Sequence, residues 1–376
     1  MYINRAIGTT PACRIMARVA TVEAYRFIVD CLKAVGADND VAETHAKLLV
    51  QANRIGLAGH GINKLEPFLN DIITGACKPN NKPEVLKESA STAWIDAKNC
   101  MGSTVSNCAM DIAIQKARKT GVGWVVVKGS FYNGIAGYWA QKAADEGMIG
   151  IALTNTAPVM VPTRSKERAL GMNPIAVAAP GTNGESFFID MATTSSDLGK
   201  IEMQMRKGEP IPSGWALGKN GRETLDPQEA LETKLLYPLG GSDDDVGFKG
   251  FCLGALVEVL CGVCAGSNFG QNVPPWPKSG HPEPPNIAHC FIAVDPNCFA
   301  PGFTDRLSEI IEEWRDLEPV DPNLPVLAPG DREKIAACKS DKTCSVPLQP
   351  SIVEANDALA AKLKVKPMEL LQNKKK

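Results

Sequence analysis

Residues 123–156 read GWVVVKGSFYNGIAGYWAQKAADEGMIGIALTNT. The stretch opens on three valines, Val125, Val126 and Val127, a run that suits a strand buried on both faces. It turns at GSFYNG, residues 129–134, where glycines and short polar groups stop the strand. Apolar residues then return at helical spacing between Ile135 and Ala144, and a second apolar strand follows from Met148. Strand, turn, helix and strand in one short stretch make the unit of an α/β core. A turn from such a strand into a helix start is where α/β enzymes often place chemistry or hold an anion. This one carries Ser130, Tyr132 and Asn133, but no His, Cys, Asp or Glu.

The alternation extends outward in both directions. VSNCAMDIAIQKARKTG, residues 105–121, predicts an amphipathic helix that stops at Gly121. EVLKES (84–89), STAWIDA (91–97), NPIAVAAPG (173–181) and SFFIDMAT (186–193) read as strands. Residues 21–56 predict two helices, the first stopping at Gly36 and the second running from an Asp40 cap to Gly56. GFKGFCLGALVEVLCGVCAG, residues 247–266, predicts one long apolar helix. The proline-rich stretch 272–286 predicts a loop, AHCFIAVDP (288–296) a returning strand, and residues 303–317 and 353–365 two more helices.

Composition narrows the function class. The chain has 376 residues, 44% hydrophobic and 22% charged, with a net charge of −2, which suits a globular enzyme with a large core. The body lacks a long basic run, so the expected partners are a small molecule and other subunits, not nucleic acid. The longest apolar stretch, Phe251 to Ala265, is short and carries Glu258, so no membrane span is expected. The 12 cysteines are scattered through apolar text, which reads as reduced thiols in an intracellular protein; Cys261 and Cys264 read as packing, with no metal site. The first 20 residues hold Arg5, Arg14 and Arg18 and no acid. They read as a disordered leader of a cytoplasmic protein or as a mitochondrial presequence.

Motifs for common cofactors are missing. The sequence has no G-x-G-x-x-G, no G-x-x-x-x-G-K-[ST] and no G-x-S-x-G. Of the four histidines, His45 reads as a surface or half-buried helix residue, His281 as loop and His289 as core. His60 stands apart, between Gly59 and Gly61 in a loop, as the side chain best suited to exchange a proton near neutral pH. DMATTSS (190–196) puts an acid and hydroxyls at a strand end, and PLGGSDDDVGFKG (238–250) is a glycine-rich lead into a helix.

Together these stretches resemble the malate/L-lactate dehydrogenase family of NAD(P)-dependent 2-hydroxyacid oxidoreductases. GHGINKL (59–65), GIAGYWA (134–140), MIGIALTNTAPVMVPTRSKERALGMNPIAVAAP (148–180), FIDMATTSSDLGKIEMQMRKGEPIPSGWA (188–216), PLGG and GFKGFCLGALVEVLCGV carry the resemblance. It implies a three-layer α/β fold that is not the Rossmann arrangement. It divides the chain into a leader (1–20), a helical part with the returning strand (21–80 plus 287–365), a central α/β cofactor-binding part (81–286) and a basic tail (366–376). It also implies a homodimer, and an NAD cofactor with NADP as the alternative.

The family motif S-H-G-x-x-R places a Ser, a His and an Arg near substrate. Here it reads Gly59, His60, Gly61, Ile62, Asn63, Lys64. The family's S-N-H-x-G, whose His is the usual acid/base, is the opening turn, where Phe131 and Tyr132 replace Asn and His. The resemblance thus implies His60 and Tyr132 as proton carriers, and Gly59, Lys64, Ser130 and Asn155 toward substrate. Toward cofactor it implies Ala136, Gly137, Asp190, Met191, Ala192, Gly240, Gly241, Gly330 and Asp331. Two functions follow as expectations: a dehydrogenase with an altered substrate pocket, or a non-catalytic NAD-binding relative of the same fold.

Overall fold

The computed structural model describes residues 16–371. Strand β1 (Ala17–Ala20) leads into helices α1 (Thr21–Ala34) and α2 (Asn39–Arg54). Helix α1 buries Ala24, Phe27, Ile28, Cys31 and Leu32, the one-face spacing of a surface helix. Two 3-10 turns, Ala58–His60 and Ile62–Lys64, precede α3 (Leu65–Ile73). The central part then runs β2 (Glu84–Glu88), β3 (Thr92–Asp96), α4 (Gly102–Thr120), β4 (Val122–Ser130), α5 (Ala136–Asp145), β5 (Ile149–Thr154), β6 (Ile175–Pro180) and β7 (Ser186–Met191). A small lobe follows: α6 (Leu198–Lys207), β8 (Ala216–Leu217), β9 (Glu223–Thr224), α7 (Pro227–Thr233) and β10 (Leu235–Leu236). The chain continues through α8 (Phe248–Glu258), β11 (Ile287–Val294), α9 (Phe303–Arg315), α10 (Asp331–Lys342), β12 (Ser345–Leu348) and α11 (Pro350–Leu363).

Seven strands form the central sheet in the order β2-β3-β4-β11-β5-β6-β7. Only β3 and β4 pair in parallel; the other pairs are antiparallel. Strands β4 and β5, joined through α5, do not touch, because β11 lies between them. The returning strand thus belongs to the middle of the central sheet, not to the helical part where the sequence put it. The valine run explains the layers. Val125 and Val127 pack against α4 and α5 with Trp139, Ala140 and Phe291, while Val126 faces the opposite layer with Val257, Cys261 and Cys290. Trp139 is fully buried and its Nε1 donates to Asn133 O at 3.0 Å, so truncating it costs about 3–5 kcal/mol.

Three other sequence expectations are corrected. Residues 17–20, read as leader, pair antiparallel with Ser345–Leu348 of β12, and Arg18 Nε donates to Ser345 Oγ at 2.8 Å; residues 1–15 lie outside the described residues. Within the expected tail, Met368 is buried and Leu370 bridges to Val19, because the segment closes the apolar edge of β1. The long apolar helix changes character after Glu258, where Val259–Val263 form a π turn. No helix among the described residues is long and apolar enough to cross a membrane.

Candidate active site

The opening turn is built on His289. Its ring is fully buried, with Nε2 2.8 Å from Ser130 Oγ and Nδ1 2.7 Å from Thr154 Oγ1. One imidazole therefore ties the ends of β4, β5 and β11 together. Burial pushes its pKa down to about 3, so the ring is neutral and serves as a clamp. Phe131 tucks beneath the turn, and Asn133 Nδ2 donates to Ser106 Oγ at 3.2 Å. Gly134 has a φ of 78°, and a Cβ there would come within 2.5 Å of Leu48 Cδ2, so glycine is required where the turn meets α2. Only Tyr132 of the aromatic pair faces outward, into a cleft of about 1640 Å³.

Gly59, His60 and Lys64 form another wall of the same cleft, with Asn63 between them. Helix α6 faces them; a Cβ at Gly59 would stand 3.7 Å from Gly199 Cα and 3.9 Å from Asp197 Oδ1, ordinary contacts that leave room for a small side chain. Asp197 caps α6 by accepting from Lys200 N at 2.9 Å. The His60 pKa is lowered, mainly by burial; Asp197 pulls it up, and Lys64 and Lys200 push it down. Its imidazole is thus neutral near pH 7. The Tyr132 phenol moves the other way: burial raises its pKa well above the ordinary phenol range, a backbone hydrogen bond with Ala157 opposes this, and Asp71 adds to the rise. Among the described residues no lysine acts to lower it.

On the far wall Ala136, Asp190, Met191 and Ala192 line the cleft. Asp190 Oδ2 accepts from Gly137 N at 2.8 Å, and burial, against that bond, pushes its carboxyl up to about 7. Gly137 itself packs on Phe188 and Asp190 behind the wall. Gly240 and Gly241 form the turn before α8, beside the cleft residue Leu239; Gly330 packs on Phe188, beside the cleft residue Arg332.

Three expected site residues are engaged elsewhere. Ser130 is fully buried against His289. Asn155 is fully buried: its Nδ2 donates to Glu258 Oε1 (2.9 Å) and Asn268 O (2.8 Å), and its Oδ1 accepts from Ala288 N (3.0 Å). Asp331 accepts both arms of the Arg315 fork, at 3.0 and 2.6 Å, and the Ala328 amide at 2.8 Å. Sequence reading placed His289 in the core, where it lies, without its role as a clamp, and it missed Glu258 and Arg332. Glu258, a lone acid inside an apolar helix, was the one visible signal among them.

The chain matches the sequence profile described as malate/L-lactate dehydrogenase over residues 19–355. It is 38% identical over 302 residues to a malate dehydrogenase of Pyrococcus abyssi, covering 80% of this chain and 82% of the relative. It is 36% identical over 312 residues to an L-sulfolactate dehydrogenase of Methanocaldococcus jannaschii, covering 82% and 87%. The solved malate dehydrogenase of Pyrococcus horikoshii superposes with a TM-score of 0.85 at 31% identity, covering 96% of this chain and 99% of that one. The matched family and these relatives are dehydrogenases, which puts the chain in the oxidoreductase class. The chain belongs to the malate/L-lactate dehydrogenase family.

Proposed function

We propose that this chain is an NAD(H)-dependent dehydrogenase of small 2-hydroxy and 2-oxo acids such as malate or lactate, with an altered substrate pocket. The carrying observation is that His60 and Lys64 share one cleft with Tyr132, the start of α5 and the Asp190–Ala192 segment. The cleft fits a dinucleotide: it is large, the N-terminal turn of α5 opens on it, and Lys200, Arg206 and Arg332 line it as cations for a diphosphate. Relatives are named for both NAD(+) and NADP(+). Asp331 is held by Arg315, so it is not the residue that chooses between them. A nicotinamide, when bound, exchanges hydride with the substrate carbon.

The protein's own part is to hold the acid and move one proton. Lys64 takes the carboxylate as a point charge, without the two-bond grip of arginine. Neutral His60 accepts the hydroxyl proton during oxidation. Tyr132 keeps its proton and serves as a donor and a wall. A filled pocket would favour the non-catalytic reading; instead Phe131 is buried beneath the cleft and the cleft stays open.

Two further readings belong to the same proposal. The protein works as a homodimer: Cys252, Leu256, Val259 and Val263 make an exposed apolar seam at spacings suited to helix pairing, with Leu256 49% and Val259 53% exposed. It works in the cytoplasm, with the mitochondrion as the alternative, a reading supported by the scattered cysteines and the arginine-bearing first 20 residues of the sequence. The deciding experiment titrates the purified protein with NADH by fluorescence and then adds 2-oxo acids in turn. Binding with oxidation by one acid supports the proposal. Binding without turnover on any acid makes the protein a cofactor binder, and no binding removes the cofactor reading.

A further inference from the structure

The proline-rich segment 272–286 is fastened to α3 as a strap. Asp71, fully buried on that helix, holds it at two points. Trp276 Nε1 donates to Asp71 Oδ2 at 3.0 Å. The His281 amide donates to Asp71 Oδ1 at 2.7 Å, and His281 Nδ1 lies 2.9 Å from the same oxygen. Asn70 Nδ2 adds a bond to Lys278 O at 2.6 Å. At Gly280 the strap lies so close to the Asn70 backbone that a Cβ has no room.

This anchoring aims one side chain. The Trp276 ring stacks on Tyr132, with centroids 4.4 Å apart and planes 18° apart. Phe68 closes behind it edge-on at 4.7 Å. Trp276, Tyr132 and Pro275 all line the cleft. Stacked aromatic pairs hold their geometry, so the two rings form a fixed wall.

We infer that Trp276 is a specificity-determining residue: stacked on Tyr132 by the Asp71-pinned strap, it walls the end of the cleft that receives the C3 substituent of a 2-oxo acid. The inference rests on the dehydrogenase reading, which puts the carboxylate at Lys64 and the reacting oxygen at His60. His60, Lys64, Tyr132 and Trp276 line the same cleft, which leaves the aromatic wall to receive the third substituent of the reacting carbon. Small substituents fit against it, and bulky ones, branched or aromatic, are shut out. Walls that sort substrates by bulk discriminate by about 10–200-fold.

The test compares kcat/KM for pyruvate, oxaloacetate, 4-methyl-2-oxopentanoate and phenylpyruvate across wild type, Trp276→Ala, Trp276→Phe and Asp71→Asn. Trp276→Ala is expected to raise the bulky-to-small ratio about tenfold or more. Trp276→Phe keeps a ring in place and leaves the ratio near wild type, and Asp71→Asn, which loosens the strap, shifts it the same way as Trp276→Ala. An equal loss on all four acids in Trp276→Ala would give the residue a merely structural role and overturn the inference. If wild type oxidises no NADH with any acid, the dehydrogenase reading fails. The wall is then read from calorimetric Kd ratios for the same four acids, and it fails in turn if Trp276→Ala leaves those ratios unchanged or wild type binds none.

Discussion

Desolvation disfavours the charged form of a side chain, and at this cleft it leaves His60 without its extra proton and Tyr132 with its own. That separates two roles the motifs alone left open. His60→Ala is expected to lower kcat/KM by roughly 10²–10⁴-fold, whereas Tyr132→Phe, which keeps the stack on Trp276, costs less than about tenfold. Steady-state kinetics on both variants decides; equal losses would hand the proton to Tyr132. The pH dependence follows from the lowered His60 pKa. The base form persists below the ordinary imidazole range, so hydroxyacid oxidation holds from pH 8 down through about 6.5 and falls only at lower pH. Reduction, which needs the imidazolium, weakens as pH rises through that same low value. A pH–rate profile checks both limbs. Tyr132→His, which restores the family's imidazole, is expected to raise turnover on malate or lactate; a loss there would show that the phenol does its own chemistry.

Helix α8 shows how an element links the site to the rest of the fold. Glu258 is buried at its end and accepts from Asn155 Nδ2 at 2.9 Å, Asn173 Nδ2 at 2.7 Å and Gly270 N at 3.0 Å. Its carboxylate thus fixes the two loops, after β5 and before β6, that carry Thr156 and Met172 to the cleft. Glu258→Ala strands three buried donors and is expected to cost about 3 kcal/mol or more, read as a lower urea midpoint at constant slope. An unchanged midpoint would mean that water replaces the carboxylate at no cost. The same element shows where sequence reading stops. The turn at 129–134, the amphipathic α1 and the apolar α8 were legible, because their periodicity is local. The family resemblance put Ser130 and Asn155 toward substrate, and no local pattern tells that each is spent on a buried partner instead. His281 and Asp71 meet across 210 residues, a pairing no local pattern contains. Nor does anything in AHCFIAVDP tell that this strand inserts between β4 and β5.

For the whole molecule, the seam along α8 and the π turn that continues it predicts assembly. Leu256→Asp or Val259→Asp places a charge in the proposed interface and is expected to turn a dimer into a monomer by sedimentation velocity. A wild-type monomer would remove the interface. The pairing of β1 with β12 has another consequence, in the timing of synthesis. Arg18 and Ser345 are 327 residues apart, yet they bond side by side. The strand made first in the described chain stays without its partner until nearly all the rest has been translated, roughly 16–65 s later at ~5–20 residues per second. Throughout that interval the apolar groups that β12 and α11 later cover, among them Val19 and Phe27, are exposed on the nascent chain. The lobe carrying His60 is therefore a late product of biosynthesis, although its helices emerge early. A ribosome stalled before β12 should present a protease-sensitive amino-terminal lobe, and the same chain released after it should not.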